Sequence, residues 1–384
     1  MKNIFWFIYL IYILLFFIKV FLSLKYYKKN NIKLNIGNDY EKQFSIVQPI
    51  LSGDKSLETN LIENIKNIRK AEFIWLIDKS DLTAKEIIKK ISKEYPNEYK
   101  RVKVIEIEEI EQGYNPKIYK INYALPYFKK YGVVLDDDTV IMPNGLESAY
   151  KILNEKDGLV TGIPYYKNDG TFFSKLVTGF VNSNSIFTYF TIAELEYPKT
   201  INGMFYIFQT ETAKKLEAFK KIEKKLCDDY EMAKIYINNS LPIFQTVTPC
   251  MVFTEVKESN HYFKIMKRWM VFANRFFEKN MNINKLIFIL IPSILPTVII
   301  MTSFIAGIEY TVLFLLTHII KAMLTKMIRK YILKNEETKL AFIFEIIADY
   351  MVVLHYLHSI VSPNKIQWRS RILNIKNDGL RYED

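Results

Sequence analysis

The N-terminal 24 residues constrain the fold of this chain more than any other part of it. Residues 4–24 read IFWFIYLIYILLFFIKVFLSL, an apolar stretch that a single lysine interrupts. About 20 consecutive apolar residues are enough to cross the hydrocarbon core of a bilayer as a helix. We therefore predict a transmembrane anchor over residues 1–28. A cleaved signal peptide is the alternative, but the stretch is longer than a usual signal core and no small-residue cleavage site follows it.

A cluster of lysines follows the anchor. Lys25, Lys28, Lys29 and Lys33 outnumber Lys2 on the other side of the apolar stretch, and segments rich in Lys and Arg stay on the cytoplasmic side of a membrane. The residues after the anchor are therefore predicted to lie in the cytoplasm, as part of a multi-pass membrane protein.

The chain as a whole carries a formal charge of +12. Such an excess of positive charge favours binding to nucleic acid, to anionic lipid or to an anionic small molecule, because each of them carries negative charge. Much of it lies beside apolar segments, at residues 25–29, 264–275 and 321–334, where cations favour an anionic membrane surface. The predicted partner is therefore the lipid bilayer, and no nucleic acid is expected.

Between the apolar ends, residues 43–280 have the composition of a folded α/β domain. Short apolar runs predict strands, and the charged stretches between them have helical periodicity. The predicted strands are 44–49, 73–77, 102–107 and 133–135, and the predicted helices are 57–69, 82–94 and 116–129. Strands that alternate with helices pair in parallel, and such an open sheet has its ligand site at the carboxyl ends of the strands.

Apolar segments return after residue 280. Candidate spans at 286–308, 310–324 and 340–361 lie in a membrane-associated region over 281–362, which a basic tail over 363–384 follows. The last candidate contains Glu345, Asp349, His355 and His358. Charges inside a membrane are costly, so we expect these side chains to face protein, water or the interface. A surface-bound or re-entrant helix is a comparable alternative for this segment.

An acidic run follows the last predicted strand of the domain. Asp136, Asp137 and Asp138 stand where a buried strand ends and a turn begins, so their carboxylates form either a solvated turn or a ligand site. Carboxylates in this position can bind Mg²⁺ or Mn²⁺ together with the phosphate oxygens of a nucleotide. In that interpretation Asp136 or Asp138 binds the ion and the other contacts the ribose side.

Two further acidic pairs have the same two interpretations. Asp78 and Asp81 follow the strand at 73–77, where a carboxylate is either an ordinary turn residue or an acceptor for a base or ribose. Asp228 and Asp229 begin a predicted helix. Asp229 is there either a capping residue or the general base that takes a proton from an acceptor hydroxyl.

A cationic and aromatic motif stands where the α/β domain meets the apolar C-terminal part. It reads Lys267-Arg268-Trp269, and such residues often anchor helices at a bilayer interface. Arg268 can instead contact diphosphate oxygens through two of its nitrogens, while Trp269 forms a wall of the acceptor site. Both interpretations stay open.

Taken in order, these motifs resemble those of family 2 glycosyltransferases, in particular the ceramide glucosyltransferase branch with its bacterial lipid-glycosylating relatives. The resemblance covers nearly the whole chain. It rests on the N-terminal span, Gln48-Pro49, Asp78 and Asp81, Asn115-Pro116-Lys117, Asp136 to Asp138, Asn202-Gly203, Asp228-Asp229, Arg268-Trp269 and Gln367-Trp368-Arg369.

The resemblance implies a GT-A fold, a Rossmann-like open mixed sheet, with the N-terminal transmembrane anchor and C-terminal membrane helices around it. It also implies the functional residues. They are Pro49, Asp78, Asp81, Lys117 and Asp136 for the nucleotide, Asp136 and Asp138 for a metal ion, Asp229 as the catalytic base, and Arg268 with Trp269 at the catalytic site. The implied cofactor is Mn²⁺ or Mg²⁺.

Two positions depart from the pattern of the family. Ile265 stands three residues before Arg268, where relatives have Gln or Arg, and Lys264 and Lys267 are the nearby cations. Asp137 replaces a small residue that some relatives have inside the acidic run.

The implied reaction moves a hexose, first of all glucose from UDP-glucose, to the hydroxyl of a membrane lipid such as ceramide or diacylglycerol, with inversion at the anomeric carbon. A processive polysaccharide synthase is the nearest alternative, although the few C-terminal segments with polar interruptions would make a poor translocation pore. A catalytically inactive membrane scaffold or binding protein is an alternative of another class, motivated by Ile265.

Overall fold

The computed structural model describes residues 1–31, 37–111, 113–167, 170–225, 227–334, 337–338 and 340–361, and the backbone of 365–368, 371–376 and 379–382. Contacts divide the chain into two units. The helical unit comprises Met1–Asn30, Tyr165–Glu196 and Thr254–Gln367, and the sheet unit comprises Asn31–Pro164, Tyr197–Phe253 and Trp368–Asp384. Each unit is described by itself below.

The described elements are numbered along the chain. The strands are β1 (Phe44–Pro49), β2 (Glu72–Asp78), β3 (Val102–Ile107), β4 (Tyr131–Leu135), β5 (Thr139–Ile141), β6 (Leu159–Tyr166), β7 (Phe205–Gln209), β8 (Ile243–Val252), β9 (Lys365–Trp368), β10 (Arg371–Lys376) and β11 (Gly379–Tyr382). The helices are α1 (Lys2–Asn30), α2 (Leu57–Asn67), α3 (Leu82–Glu94), α4 (Pro96–Tyr99), α5 (Pro116–Ala124), α6 (Glu147–Glu155), α7 (Phe172–Leu195), α8 (Thr210–Lys215), α9 (Ala218–Ile222), α10 (Asp228–Asn238), α11 (Ser259–Asn280), α12 (Ile283–Lys285), α13 (Ile291–Ala306), α14 (Ile308–Leu333) and α15 (Ala341–Val361).

The sheet unit is built on an eight-stranded mixed sheet, whose strand order is β3-β2-β1-β4-β7-β6-β8-β5. β1 is parallel to β2 and β4, and β2 is parallel to β3. β7 is antiparallel to its neighbours β4 and β6, and β5 is antiparallel to β8. The sheet therefore has a parallel half, which contains the predicted strands, and an antiparallel half, which the sequence did not predict.

The inner parallel strands β1, β2 and β4 are largely apolar because helices cover both faces of the sheet, whereas β3 at the end of the strand order is mostly half-exposed or exposed. All five residues of β4 are buried, and so are the first five of β1. Side chains from one face pack with α2, α3 and α6, and those from the other face pack with α5 and α10. This two-sided core fixes the strands whose ends carry the predicted motifs.

Most predicted elements of this half have the observed bounds within two residues. β1, β3 and α3 begin and end as predicted. The predicted helix 116–129 is wrong at its end, because α5 stops at Ala124 and residues Leu125–Tyr127 form a 3-10 turn. Pro126 lies in that turn and cannot donate the backbone hydrogen bond that a longer helix needs.

The helical unit contains the apolar segments. Among the described residues, four helices are long and apolar enough to cross a membrane: Lys2–Asn30, Ile283–Ala306, Ile308–Leu333 and Ala341–Val361. On α1, the side chains of Leu10, Leu14, Phe17 and Phe21 are each more than half exposed. A continuous exposed apolar face of this kind is covered by lipid in a membrane protein.

The polar side chains of α15 face partners inside the helical unit. Glu345 contacts Arg329, Asp349 Oδ2 lies 2.6 Å from Lys321 Nζ, and His355 Nε2 lies 2.8 Å from the Tyr262 hydroxyl. Arg329 is fully buried and also donates to the carbonyl oxygen of Asn182 at 2.9 Å. Glu345, Asp349 and His355 therefore face protein, whereas His358 is exposed.

The predicted domain boundaries stay a prediction. The division by contacts groups α7 and α11 with the apolar helices, whereas the predicted catalytic domain extends over 43–280. The side chains of the predicted basic tail over 363–384, and Arg369 altogether, lie outside the described residues.

Candidate functional site

The parallel half of the sheet brings several predicted site residues to one edge. Pro49 ends β1, Asp78 ends β2, and Asp136 directly follows β4. These strands are parallel, so their carboxyl ends lie together. Ligand sites in open α/β sheets form at this edge.

Helix α5 places a lysine at the same edge. Asn115 caps this helix, because its Oδ1 accepts hydrogen bonds from the backbone nitrogens of Lys117 and Ile118 at 3.1 and 3.4 Å. Pro116 suits the first helical position, where a backbone donor has no partner. Asn115 Nδ2 also donates to the carbonyl oxygen of Lys225 at 3.0 Å. The cap therefore fixes the start of α5 against the segment that precedes α10.

Lys117 joins acidic positions that are far apart in the sequence. Its Nζ lies 2.7 Å from Asp136 Oδ1 and 3.5 Å from Asp228 Oδ2, and it donates to the Gly203 carbonyl oxygen at 2.7 Å. The Lys117 side chain is only 19% exposed, so its charge depends on these partners. Motifs from four parts of the chain meet here, in what we call the acidic cluster: Lys117, Asp136, Gly203, Asp228 and Asp229.

The acidic cluster shifts the pKa values of its members. Burial opposes the charge on Lys117, but the carboxylates of Asp136 and Asp228 outweigh it and raise the pKa of Lys117 above its usual range. Burial raises the pKa of Asp228 to about 6; Lys117 opposes this rise, while the charges of Asp229 and Asp136 add to it. Within the described residues, Asp228 Oδ2 has no hydrogen-bond partner. Asp228 is therefore a proton acceptor near neutral pH.

The raised pKa of Asp228 gives a pH dependence of stability. The folded protein holds this proton up to about pH 6, whereas an unfolded aspartate releases it near pH 3.9. The stability that the group contributes is therefore fully present below about pH 4 and is lost as the pH rises through about 6. For a pKa difference of about two units, the loss is at most about 3 kcal/mol.

Thermal unfolding in detergent with EDTA, at pH 5 and at pH 7.5, checks this expectation. Asp228→Asn should remove part of the fall in Tm between the two pH values, because asparagine does not titrate. Glu231→Gln on the same helix is the control, since Glu231 pairs with Lys234 at 2.9 Å and not with the acidic cluster. An equal fall in Tm in wild type and Asp228→Asn would contradict the raised pKa.

Asp229 begins α10 beside Asp228. Its Oδ1 accepts hydrogen bonds from the Tyr230 backbone nitrogen at 2.7 Å and from Cys227 Sγ at 3.1 Å. Burial, and then the charge of Asp229, raise the pKa of Cys227 well above its usual value, so the thiol stays protonated and donates. A Cβ on Gly203 would lie 3.2 Å from Asp229 Cβ. Glycine therefore leaves room for this carboxylate, whose role as the base stays a prediction.

Two other aspartates hold the loop after β1. Asp137 Oδ2 accepts from the Leu51 backbone nitrogen at 2.8 Å, and Asp81 Oδ2 accepts from the Ser52 backbone nitrogen at 2.9 Å. Asp81 Oδ1 accepts from the Ala84 backbone nitrogen at 3.0 Å and so caps α3. Burial opposes its charge, but these hydrogen bonds outweigh burial and lower the pKa of Asp81. Both carboxylates thus shape the edge of the sheet.

A second lysine of α5 neutralises Asp78. Lys120 Nζ lies 2.9 Å from Asp78 Oδ1, and the Lys120 side chain is only 4% exposed. Pro49 pairs with Leu76, two residues before Asp78 on the neighbouring strand. The nucleotide contacts of four residues stay predictions: Pro49, Asp78, Asp81 and Lys117.

The backbone of the acidic run is fixed by the antiparallel half of the sheet. The Asp136 backbone nitrogen donates to the Met204 carbonyl oxygen at 3.0 Å, and the Phe253 backbone nitrogen donates to the Asp138 carbonyl oxygen at 2.8 Å. Asp138 Oδ1 accepts from Thr139 Oγ1 at 3.0 Å. The turn therefore presents its carboxylates from a rigid support.

The residues of the acidic run fit a divalent metal ion by their chemistry. In the part of the chain that the structure describes, no group of three or more His, Cys, Asp or Glu side chains could hold an ion. Mg²⁺ and Mn²⁺ need only one or two carboxylates when water and substrate phosphates complete their shell. The acidic cluster holds three carboxylates against one ammonium, so further positive charge is favourable there. Metal binding by Asp136 and Asp138 stays a prediction.

Arg268 and Trp269 lie in α11 of the helical unit. The ring of Trp269 packs edge to face against Tyr166, with centroids 6.2 Å apart, and stacks on Phe180 at 6.0 Å. These contacts account for the tryptophan as a packing residue. The catalytic role of Arg268 and Trp269 stays a prediction.

Three residues near the predicted site were missed. Lys120 had a signal in the sequence, since it follows Lys117 by three residues and therefore shares its face of α5. The partnership of Asp228 with Lys117 and the hydrogen bond from Cys227 to Asp229 had none. The first depends on a contact between segments about 110 residues apart, as does the bond from Asn115 to Lys225. The second joins two residues at the start of α10.

Comparison with known proteins gives one family and several solved structures. The family model described as Glycosyl transferase family 21 matches residues 8–381. The mannosyltransferase PcManGT from Pyrobaculum calidifontis, solved in complex with GDP-Man and Mn²⁺, is 14% identical with a TM-score of 0.45, over 90% of this chain and 99% of that one. S. aureus TarS 1-349 in complex with UDP-GlcNAc is 15% identical with a TM-score of 0.39, over 89% and 99%.

The family match extends over both units of the chain. It includes most of α1, the whole eight-stranded sheet and the apolar helices α13 to α15. An eight-stranded mixed sheet, with four helices long and apolar enough to cross a membrane among the described residues, is the predicted architecture, and the predicted GT-A fold class is confirmed. The chain therefore belongs to glycosyl transferase family 21 and is a glycosyltransferase.

Proposed function

We propose that this glycosyltransferase moves a hexose, in the first place glucose, from a UDP-sugar to the hydroxyl group of a membrane lipid. The observation that supports the proposal most is the acidic cluster, where Lys117 links Asp136 with Asp228 beside Asp229. The cluster places charged groups that can bind a nucleotide diphosphate next to a carboxylate that can take a proton.

The nucleotide of the donor is proposed to lie along the edge that Pro49 and Asp78 define. The carboxylate of Asp78 can accept hydrogen bonds from the ribose or the base, and Lys120 at 2.9 Å orients it. Asp81 already accepts hydrogen bonds from two backbone amides. We therefore propose that it supports the nucleotide site indirectly, by holding the loop after β1.

Asp229 is proposed to act as the general base. The lipid hydroxyl oxygen attacks the anomeric carbon and its proton passes to the carboxylate of Asp229. The bond from the anomeric carbon to the diphosphate oxygen breaks, and the diphosphate leaves with the electron pair. A single attack on the face opposite the leaving group inverts the anomeric configuration. Hydrogen bonds from Tyr230 and Cys227 to Oδ1 orient the carboxylate and leave Oδ2 for the proton.

Mg²⁺ or Mn²⁺ held by Asp136 and Asp138 would neutralise charge on the leaving diphosphate. Lys117, 2.7 Å from Asp136 Oδ1, holds that carboxylate in place. Its own ammonium stays charged, because the neighbouring carboxylates raise its pKa.

The acceptor is proposed to be a lipid because four helices in the described part of the chain are long and apolar enough for a bilayer. Ceramide and diacylglycerol are the first candidates, since each presents a hydroxyl at the membrane surface. Lys28 and Lys29 in the last turn of α1 favour the cytoplasmic side for the catalytic domain. UDP-sugars would then reach the site from the cytoplasm.

Purified protein in nanodiscs tests the proposal. UDP-glucose, UDP-galactose, UDP-N-acetylglucosamine and GDP-mannose are each offered with ceramide, with diacylglycerol or without acceptor, in the presence of Mn²⁺. We expect UDP-glucose with one of the lipids to give a product one hexose heavier than the acceptor by mass spectrometry. Asp229→Asn serves as the control for contaminating activity.

Other products would overturn parts of the proposal. A ladder of hexose additions would indicate a processive polysaccharide synthase. Transfer from another sugar nucleotide alone would replace the donor. No transfer and no nucleotide release with any pair would favour a binding protein that lacks catalysis.

A further inference from the structure

The helical unit contains a cavity that the proposed chemistry does not use. It has a volume of about 50 Å³ and lies between α1, α7, α13, α14 and α15. Its lining includes the apolar side chains of Leu15, Phe16 and Val352 and the charged side chains of Lys19, Lys321 and Asp349. All of them belong to the helical unit. A volume of this size holds a few water-sized groups, which is enough for the atoms of a phosphate group.

The charges of this cavity do not balance. Asp349 Oδ2 lies 2.6 Å from Lys321 Nζ and 3.2 Å from His318 Nε2, so its single negative charge is already engaged. Lys19 is 8% exposed, and within the described residues its ammonium has no ion-pair or hydrogen-bond partner. The cavity therefore has one positive charge more than its carboxylate can neutralise.

A polar group of the same cavity also lacks a partner. Thr325 is 2% exposed, and its Oγ1 has no hydrogen-bond partner in the described part of the chain. Lys19 stands 17 residues after the start of α1 and 11 before its end, so it lies well inside the apolar span. An unpaired charge inside such a span is costly. A bound anion with acceptor oxygens would satisfy both groups.

We infer that this cavity binds the phosphate group of a membrane lipid, with Lys19 and Thr325 as its contacts. A phosphodiester carries one negative charge and so matches the excess charge of the cavity. The apolar side chains of Leu15, Phe16 and Val352 would contact the first part of the acyl chains. Free phosphate has the same anionic group but no acyl chains to contact these apolar side chains. A lipid is therefore the favoured source of the phosphate group.

The experiment uses delipidated full-length protein in dodecyl maltoside and follows thermal unfolding by tryptophan fluorescence. Three probes are titrated: dioleoylphosphatidylglycerol, dioleoylglycerol, which has the same chains without phosphate, and inorganic phosphate, which has no chains. We expect the phospholipid alone to raise the Tm with saturation. Equal stabilisation by dioleoylglycerol would show that the apolar walls suffice, and equal stabilisation by inorganic phosphate would replace the lipid by the free anion. Either result overturns the inference.

Substitutions of Lys19 test whether this side chain contacts the phosphate group. Lys19→Met should weaken phospholipid binding at least about ten-fold, the value of a hydrogen bond to a charged group. Lys19→Arg should restore most of the affinity. Lys28→Met removes the same charge from an exposed position of the same helix and should leave the affinity unchanged. Unchanged affinity in Lys19→Met overturns the inference.

Thr325→Val keeps the test decisive if Lys19→Met does not fold. The valine has the same shape without the hydroxyl, so we expect a loss of about three- to ten-fold. The amount of phosphorus that is retained after purification gives a second readout, about one phosphate per protein in wild type. Phosphorus retained equally by wild type and Thr325→Val, with equal Tm responses, would overturn the inference.

Discussion

Asp229→Asn is expected to lower the kcat of sugar transfer by about 10²- to 10⁴-fold, because a positioned general base contributes a factor of this size. Asparagine has the shape of aspartate, and its oxygen can still accept the hydrogen bonds from Tyr230 and Cys227. Only the capacity to take the proton is lost. We therefore expect the KM for the donor to change less than kcat, which initial-rate kinetics would measure.

The control for this substitution lies two residues away. Glu231 is on the same helix and pairs with Lys234 at 2.9 Å, outside the acidic cluster. Glu231→Gln removes one negative charge from α10 and loses a surface ion pair worth at most about 1 kcal/mol. We expect kcat to stay within about two-fold of wild type.

Asp228 is the competitor for the role of base. Burial raises its pKa to about 6, and its Oδ2 has no hydrogen-bond partner among the described residues. If Asp229→Asn kept more than a tenth of wild-type kcat and Asp228→Asn lost far more, the assignment would pass to Asp228. If both retained full activity, the acidic cluster would not be the catalytic site.

The sequence predicts the parallel half of the sheet and not the antiparallel half. β1, β2 and β4 are buried on both faces, so they stand out as largely apolar runs between amphipathic helices. β8 alternates buried and half-buried residues and contains Pro249, which weakens its strand signal. Its place in the sheet depends on pairing with β5, about 100 residues earlier, which no local pattern records.

The candidate site was predicted residue by residue but not as a set of contacts. Asp136 and Lys117 were each expected to bind the nucleotide, and the structure places their charges 2.7 Å apart. The cap at Asn115 fixes the start of α5, where Lys117 lies, and ties it to Lys225 just before α10. A capping asparagine can be predicted from sequence, but its distant second partner cannot.

The partners of the polar side chains in α15 could not be predicted from the sequence either. Glu345 and Asp349 made a full span and a surface helix comparable alternatives in the sequence. The structure pairs them with Arg329 and Lys321 of α14, so their charges are met inside the helical unit. The periodicity of one helix cannot predict which residue of another helix faces it.

The second large effect concerns the acidic run. Asp136→Asn and Asp138→Asn are each expected to lower metal-dependent transfer by about 10²- to 10³-fold, because charge stabilisation by a bound ion is worth several kcal/mol. In Asp136→Asn the amide oxygen can still accept from Lys117, which retains Asp228 as an ionic partner. The fold should therefore survive, and circular dichroism with thermal unfolding would verify this.

Asp137→Asn is the matched control within the same run. The Asp137 carboxylate accepts from the Leu51 backbone nitrogen at 2.8 Å, and an asparagine oxygen can do the same. Removing its charge should cost less than about ten-fold in kcat, since a loop contact of this kind is worth about 1 kcal/mol. A larger loss in Asp137→Asn than in Asp136→Asn or Asp138→Asn would move the metal contact to the middle of the run.

Metal binding is measured separately from catalysis. Calorimetric titration of Mn²⁺ in the presence of UDP should give one site in wild type and in Asp137→Asn, and a site at least about ten-fold weaker in Asp136→Asn and Asp138→Asn. Full transfer activity in excess EDTA would exclude a role for the metal. In that case the charge on the leaving diphosphate would have to be met by cationic side chains, and Lys117, already 2.7 Å from Asp136, would be the first of them to substitute.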